Sequence, residues 1–212
     1  MIKVKKKIHI LDCGFGNIES VKNALDYLEI DNHILDNLNN IKNISHLILP
    51  GVGNFNTCID ILKKKELIHQ IKNYVEKKNF LLGICVGMQL LFEYGDEGGG
   101  TEGIKLFKGN CKRLENINNL PLPHIGFNVV KKPNSLMWKD INENSNFYFV
   151  HEYGIDENQL KGEADIKYGV TKYTNKFISY VENKHGNIFG AQFHPEKSQS
   201  NGLKFLRNFS IL

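Results

Sequence analysis

The sequence predicts an α/β protein with an open, mostly parallel sheet flanked by helices and with extra short antiparallel strands in its second half. Three apolar runs of strand length, at residues 8–12, 46–49 and 80–85, carry this prediction, and each ends at a glycine-containing turn. Helical patterns follow the runs, and this alternation favours a parallel sheet. Open α/β sheets bind ligands at the carboxyl ends of their strands, so we expect functional residues directly after these runs.

The first strand, residues 8–12, leads into a turn with the sequence GFGN at residues 14–17. An amphipathic helix follows, with an apolar face that begins at Val21, and Asn17 is placed to cap its start. The turn lacks the third glycine of a dinucleotide-binding loop, because Glu19 stands there. A tight strand-to-helix turn is therefore favoured over a phosphate site.

The middle of the chain continues the alternation of strands and helices. Residues 59–75 have the apolar spacing of one continuous helix. Residues 95–100 (GDEGGG) predict a flexible loop, which is not a P-loop because no Lys-Ser or Lys-Thr pair follows. From there to about residue 181 we expect short strands separated by Asn, Gly and Pro, and residues 188–193 predict a last buried strand.

The stretch at residues 80–92 (FLLGICVGMQLLF) predicts a central strand, a tight turn and an amphipathic helix, with Cys85 at the apex. A Gly-x-nucleophile-x-Gly turn projects the nucleophile above the sheet, because its small neighbours let the chain approach itself closely. The start of the following helix favours the thiolate form of a cysteine. The N–H of Val86 would point to where an oxyanion forms. A buried structural cysteine is the alternative for Cys85 alone.

A base for such a nucleophile is available near the end of the chain. His194 and Glu196 follow the strand at residues 188–193, and Pro195 between them keeps the chain extended. An imidazole can take the thiol proton, and a carboxylate can fix its tautomer. We therefore predict a Cys85, His194, Glu196 triad, although each of the last two alone could be a surface residue.

The motifs at residues 83–89 (GICVGMQ) and 192–198 (QFHPEKS) resemble those of the class I, or triad, glutamine amidotransferases. Within that family the chain is most similar to the glutaminase subunit of imidazole glycerol phosphate synthase. Further similarity lies at residues 50–53 (PGVG), 123–128 (PHIGFN) and 148–151 (YFVH), so that the resemblance covers essentially the whole chain. It implies hydrolysis of glutamine to glutamate and ammonia, without a metal or other cofactor.

The resemblance also implies how the oxyanion is bound. Val52 and Gly53 would complete the oxyanion hole with the Val86 N–H, after a peptide flip triggered from a partner subunit. An ordinary Pro-Gly turn is the alternative at residues 50–53.

Substrate contacts are expected at four positions. His151, Glu152 and Tyr153 align with residues that hold glutamine in the family, partly through their backbone. Gln89 lies one helical turn after Cys85 on the same face and is the side chain expected to grip the substrate. His124 is expected to be structural or interfacial.

The resemblance further implies a partner, a (β/α)₈ cyclase that receives the ammonia through a channel in a heterodimer and serves histidine biosynthesis. Tyr148 and Lys197 align with interface positions. Phe127 stands where the synthase motif has tryptophan, and Glu152 and Cys13 also depart from the pattern. Related subunits supply ammonia for amidination of surface-polysaccharide or flagellin-glycan sugars, which is the alternative pathway. A cysteine hydrolase or peptidase and an inactive binding subunit are further alternatives.

Composition narrows the class of protein. A chain of 212 residues that is 41% hydrophobic can bury one good core, so residues 1–212 are expected to form a single domain. The net charge of +4 is dispersed, with no basic stripe interleaved with aromatic residues, so nucleic acid is not implied. The four scattered cysteines predict a reducing cytoplasm and no zinc site. No run approaches the roughly 18 apolar residues of a membrane span.

Overall fold

A computed structural model of the protein describes residues 5–38, 44–115 and 119–212. The α-helices in these ranges are α1 (Ile18–Tyr27), α2 (Phe55–Lys64), α3 (Leu67–Glu76), α4 (Val86–Gln89) and α5 (Gln199–Phe209). The strands are β1 (Ile8–Leu11), β2 (Asn32–Leu35), β3 (His46–Gly51), β4 (Phe80–Cys85), β5 (Tyr94–Gly95), β6 (Thr101–Glu102), β7 (Asn110–Arg113), β8 (His124–Val129), β9 (Asn146–His151), β10 (Tyr153–Ile155), β11 (Ile166–Lys172), β12 (Lys176–Asn183) and β13 (Ile188–Ala191).

Seven strands form one large sheet in the order β11-β12-β13-β4-β3-β1-β2. The strands from β13 to β2 run parallel, and β12 and β11 continue the sheet as antiparallel strands. The strands β1, β3, β4 and β13 are almost entirely buried, as expected for parallel strands that are covered on both faces. The predicted α/β class, with β4 near the middle of a mostly parallel sheet, is confirmed.

The second half of the chain adds the predicted short strands. One group has the order β10-β7-β5-β6, and β8 pairs with β9 in a two-stranded antiparallel ribbon. The prediction of a flexible loop at residues 95–100 is wrong, because Gly95 belongs to β5 and Glu97–Gly99 form a short 3₁₀ helix. The Glu97 carboxylate accepts a hydrogen bond of 2.7 Å from the N–H of Phe55, which fixes this segment on the start of α2.

The continuous helix predicted at residues 59–75 is also wrong, because α2 ends at Lys64 and α3 begins at Leu67. Between them Glu66 has a φ of 55°, in the left-handed region. The apolar spacing contains the reason. Leu62 and Leu67 are five residues apart, whereas a helical face repeats every three or four residues. A break between the two helices lets both leucines stay fully buried.

Two other helices differ from expectation at their ends. The side chain of Asn17 makes no capping hydrogen bond at the start of α1. The helix after Cys85 spans only one turn, Val86–Gln89, rather than the longer amphipathic helix expected, and Leu90, Leu91 and Phe92 after it are all fully buried. The chain that follows the elbow therefore lies in the hydrophobic core.

Candidate active site

Cys85 lies at the end of β4 in a conformation that the surrounding glycines make possible. Its φ of 54° and ψ of −114° are unusual for a residue with a side chain, as expected of a nucleophile elbow. A Cβ atom on Gly87 would lie 2.0 Å from the carbonyl oxygen of Leu49, and one on Gly83 would lie 2.6 Å from the oxygen of Gly87. Only glycine fits at these two positions, which explains the Gly-x-Cys-x-Gly spacing.

The parallel sheet brings three chain segments to the same edge. Gly51 at the end of β3 is in register with Cys85, and Ala191 at the end of β13 is in register with Ile84. The turn at residues 50–53 and the segment that contains His194 therefore lie on either side of the elbow. The backbone N–H of His194 donates a hydrogen bond of 2.9 Å to the oxygen of Tyr148, which holds the base segment against β9.

His194 and Glu196 form a buried pair beside the cysteine. Nδ1 of His194 lies 2.7 Å from Oε1 of Glu196, and the two side chains are only 2% and 1% exposed. Because a carboxylate only accepts hydrogen bonds, Nδ1 carries a proton and Nε2 is left for the sulfur side. Nε2 has no regular hydrogen bond to a described residue. A buried Nε2 atom without such a hydrogen bond is expected of a catalytic base that faces the group with which it exchanges a proton.

The charge of His194 follows from its surroundings. Burial lowers the pKa of the imidazole, but the neighbouring Cys85 sulfur and the Glu196 carboxylate outweigh this effect and raise the pKa to about 10. At neutral pH the imidazole is therefore protonated. A protonated imidazole beside the sulfur can give its proton to a leaving group.

A cavity of about 250 Å³ opens beside the sulfur. Its lining includes Cys85 and every residue predicted for the oxyanion hole and for substrate binding: Val52, Gly53, Val86, Gln89, His151, Glu152 and Tyr153. Three larger hollows among the described residues, of about 680, 650 and 380 Å³, contain no cysteine in their lining. The cavity of about 250 Å³ can support nucleophilic chemistry, because the Cys85 sulfur lines it.

The predicted oxyanion segment packs backbone against backbone with the elbow. A Cβ atom on Gly51 would lie 2.2 Å from the nitrogen of Gly87. Gly53 has a φ of 115°, which L side chains rarely adopt, and no atom within 4 Å of a Cβ placed on it. The neighbouring Val52 is 40% exposed. At Gly53 the backbone conformation is one that favours glycine, and the space beside it is open. Both features would allow the peptide between Val52 and Gly53 to move.

The polar residues of the cavity are fixed by hydrogen bonds to one another. Nε2 of Gln89 and Nδ1 of His151 both lie within hydrogen-bonding distance of the Tyr153 carbonyl oxygen, at 2.8 and 2.9 Å. Oε1 of Glu152 accepts hydrogen bonds of 2.8 and 2.6 Å from the guanidinium of Arg113. Oε1 of Glu152 is thus engaged by Arg113, and the backbone of Glu152 stays available for the substrate contact expected there.

His124 has a structural environment, as expected from the sequence. Its ring is 2% exposed and stacks on Tyr173 and Phe149, with centroids 4.0 and 4.9 Å away. Burial lowers the pKa of His124 to about 4 and that of His151 to about 3. Both rings are therefore neutral at neutral pH, and of the two only His151 lines the cavity.

The residues predicted to face a partner lie on one apolar ribbon and beside the base. Phe127 is 50% exposed, Ile125 is 60% exposed, and the ring of Phe127 packs edge-on against Tyr148 with centroids 5.6 Å apart. Lys197 is exposed next to Glu196. Because the Tyr148 oxygen accepts from the His194 N–H, the exposed ribbon is connected directly to the base.

Sequence reasoning missed three residues of the site. Glu97 and Val150 line the cavity, and Nε2 of Gln192 lies 3.7 Å from the Cys85 sulfur. The signal for Gln192 was its place as a polar residue in an apolar run, two positions before His194. Glu97 was hidden in a segment interpreted as a flexible loop.

The other cysteines differ from Cys85 in their surroundings. Burial raises the pKa of Cys13 and of Cys58 to about 12, and that of Cys111 also rises well above its usual value. These three are therefore kept as thiols. Across the described ranges no group of three or more His, Cys, Asp or Glu side chains could hold a metal ion. Nor is any helix within residues 5–38, 44–115 and 119–212 long and apolar enough to cross a membrane.

Comparison with known proteins gives a consistent result. The family model "Glutamine amidotransferase class-I" matches residues 9–212. The chain is 44% identical over 204 residues to the "Imidazole glycerol phosphate synthase subunit HisH" of Caldanaerobacter subterraneus subsp. tengcongensis, covering 95% of this chain and 96% of that protein. The subunit of the same name from Moorella thermoacetica is 39% identical, with coverage of 98% and 95%.

The fold has relatives among solved structures as well. The structure of PurLQS from Thermotoga maritima matches with a TM-score of 0.72 at 17% identity, covering 97% of this chain and 98% of that one, a likeness of fold alone. The match of the family model over nearly the whole chain and the identity to HisH subunits lead to one conclusion. This chain belongs to the class-I glutamine amidotransferase family, in the group of HisH subunits of imidazole glycerol phosphate synthase.

Proposed function

We propose that the chain hydrolyses glutamine to glutamate and ammonia as the glutaminase subunit of imidazole glycerol phosphate synthase, in histidine biosynthesis. One observation carries the proposal. A strained cysteine at a strand end shares a cavity of about 250 Å³ with the predicted oxyanion and substrate residues, beside an imidazole held 2.7 Å from a buried carboxylate. The relatives in the HisH group support the assignment to this pathway.

In the first half of the reaction, the Cys85 thiolate attacks the side-chain amide carbon of glutamine. The oxyanion accepts hydrogen bonds from backbone N–H groups of Val86 and of the Val52 and Gly53 turn, each worth roughly 3 to 4 kcal/mol. The protonated His194 gives its proton to the leaving nitrogen, and ammonia departs from a thioester. The raised pKa of His194 supports this role as an acid.

In the second half, His194 has lost its proton and acts as a base. It takes a proton from water, which attacks the thioester carbonyl, so that glutamate leaves and the sulfur and imidazole return to their starting states. Glu196 keeps the proton on Nδ1 throughout and thereby directs Nε2 to the sulfur, the water and the leaving group. Gln89, His151, Glu152 and Tyr153 hold the amino-acid end of the substrate.

The ammonia passes to a (β/α)₈ cyclase in a heterodimer, and the lyase step belongs to that partner. The exposed apolar ribbon of Ile125 and Phe127 supports such a docking face, because large exposed apolar groups that cluster mark interaction sites. Tyr148 and Lys197 would take part in the same face. We further propose that residues 1–212 form a single domain that works in the cytoplasm, in keeping with four free cysteines.

Other functions have less support. The relatives reported above favour the histidine pathway over sugar amidination, although Phe127 and Glu152 depart from the synthase pattern. A cavity of about 250 Å³ lined by Gln89 and residues 151–153 suits a single amino acid better than the extended chain that a peptidase binds.

The test is the release of glutamate from glutamine by the purified chain, alone and with the same organism's cyclase, with and without the nucleotide substrate. We expect strong stimulation by cyclase and nucleotide together, and no turnover in Cys85→Ala. A rate of glutamate release that is the same with and without the cyclase would indicate that the ammonia serves another pathway. Turnover that persists in Cys85→Ala would remove the proposed nucleophile.

A further inference from the structure

Gln192 is a fully buried polar side chain at the end of β13, between the strand and the base segment. Its backbone N–H donates a hydrogen bond of 3.0 Å to the carbonyl oxygen of Ser179 in β12 and so continues the sheet. Its side chain turns to the elbow, where Nε2 lies 3.7 Å from the sulfur of Cys85. None of the steps described above uses this contact.

The orientation of the Gln192 amide follows from a chain of hydrogen bonds. The carbonyl oxygen of Tyr153 can only accept, so the group of Gln89 that lies 2.8 Å from it is the donor Nε2. The same Nε2 donates its second proton to Oε1 of Gln192, at 3.0 Å. Since Oε1 of Gln192 faces Gln89, its NH₂ group faces the sulfur.

The opposite orientation is unfavourable at both ends of this chain. With both amides reversed, Oε1 of Gln89 would face the Tyr153 carbonyl, so that two acceptors meet, and Oε1 of Gln192 would face a sulfur that is only a weak donor as a thiol and no donor as a thiolate. The Tyr153 carbonyl is further fixed by Nδ1 of His151 at 2.9 Å. The network therefore permits one arrangement, with an N–H donor on the sulfur.

We propose that Gln192 is a catalytic hydrogen-bond donor to the sulfur of Cys85, with Gln89 as the residue that positions it. The inference rests on the proposed function, since it assigns a role at the same nucleophile. The sulfur is anionic before it attacks the amide and again when it leaves the thioester, and an N–H donor favours the anion at both points.

The same network restricts what Gln89 can do for the substrate. Both protons of its Nε2 are used, one by Tyr153 and one by Gln192, so that only Oε1 remains for a ligand. Gln89 can therefore accept a hydrogen bond from an N–H group of glutamine but cannot donate one to its carboxylate or carbonyl oxygen.

The test is site-resolved alkylation of Cys85 by iodoacetamide in the full-length protein, followed by peptide mass spectrometry across the neutral and alkaline pH range. In Gln192→Met, which removes the donor but preserves side-chain length, we expect alkylation at neutral pH to slow about tenfold and its rise with pH to begin at higher pH. Gln192→Glu keeps the acceptor for Gln89 and puts a carboxylate on the sulfur, so it should be slower still.

Gln159→Met is the matched control. The Gln159 side chain also makes two hydrogen bonds, but both are to the backbone of Asn110, and it does not line the cavity. It should leave the pH profile unchanged. A merely loosened structure would expose Cys85 and speed alkylation, which is the opposite of the expected result. If Gln192→Met does not fold, the pH profile of Cys85 alkylation is compared between Gln192→Glu and the parent protein instead.

An unchanged pH profile in folded Gln192 variants would overturn the role of Gln192. Because alkylation needs no glutamine, this result is separate from failure of the proposed function, which would appear as glutamine turnover in Cys85→Ala. Turnover that depends on Cys85 together with an unchanged profile would overturn only the inference about Gln192.

Discussion

At the scale of single residues, the site combines local and distant contacts, and only the local ones could be predicted from the sequence. His194 and Glu196 are two positions apart at a strand end, so their pairing follows from the extended chain around Pro195. The contact between Gln89 and Gln192 joins residues that are 103 positions apart. No spacing rule indicates such a contact, because it depends on how β4 and β13 lie side by side in the sheet.

Glu196→Gln tests the carboxylate of the triad. The amide is neutral, so it no longer raises the pKa of His194, and less of the imidazole is protonated when ammonia must leave. We expect kcat for glutamine hydrolysis to fall roughly 10²- to 10³-fold, with little change in KM.

The control is Glu182→Gln, since the Glu182 side chain is also buried, at 7% exposure, but accepts a hydrogen bond from Tyr180 and pairs with Lys167. It is expected to leave kcat nearly unchanged. Equal kcat values in Glu196→Gln and the parent protein would contradict the role of Glu196.

At the scale of elements, the buried strands and the elbow were predictable, because apolar runs that end at glycines have few other interpretations. The helices were less so. The five-residue step from Leu62 to Leu67 breaks the helix at Glu66, where a left-handed residue was not visible in the sequence. The order of the seven strands could not be predicted from the hydrophobic pattern of the sequence either, because it depends on pairing between strands that are far apart in the chain.

Gly87→Ala tests why the elbow needs its second glycine. The new methyl group would lie 2.0 Å from the backbone oxygen of Leu49, and backbone cannot move aside as a flexible side chain can. We expect a loss of about 3 kcal/mol or more in the free energy of unfolding, measured by urea denaturation.

Gly162→Ala is the comparison, because Gly162 has a φ of 91° but no atom within 4 Å of an added Cβ. Strain alone should cost about 1 to 2 kcal/mol there. If the two substitutions destabilise the protein equally, close packing at the elbow is not the reason for the glycine.

His124, in the ribbon of β8 and β9, should make the free energy of unfolding depend on pH. Burial lowers the pKa of His124 to about 4, so between that pH and the unfolded value of 6.5 the unfolded chain binds a proton that the folded chain does not. The free energy of unfolding therefore rises with pH across this window, by at most about 1.4 kcal/mol per pH unit from this residue. His124→Gln should flatten the slope measured by urea denaturation. An unaltered slope in His124→Gln would contradict this account.

At the scale of the whole molecule, one strand ribbon joins the exposed apolar surface to the base. The oxygen of Tyr148 in β9 holds the N–H of His194, and the Tyr148 ring packs against the exposed Phe127. A partner that binds this surface would thus act close to the catalytic base. The identity of the partner came from resemblance and not from the residues alone, because an apolar patch indicates an interface without specifying what covers it.

Phe127→Ala is expected to weaken binding of the cyclase by about 2 kcal/mol, or roughly thirtyfold, since exposed aromatic residues are frequent anchors of interfaces. Binding can be measured by titration calorimetry with the purified cyclase. Leu136→Ala removes another apolar side chain, 65% exposed and outside the ribbon, and should leave the affinity unchanged. Equal affinities for the parent protein and Phe127→Ala would place the interface elsewhere.

The central claim is that Cys85 is the residue that reacts with glutamine. The measurement that tests it most directly is labelling of the full-length chain with a glutamine-analogue electrophile, followed by peptide mass spectrometry. The account predicts one label per chain, on Cys85, with protection by glutamine and loss of turnover in proportion to labelling. Label on Cys13, Cys58 or Cys111 in place of Cys85, or turnover that continues in fully labelled protein, would contradict it.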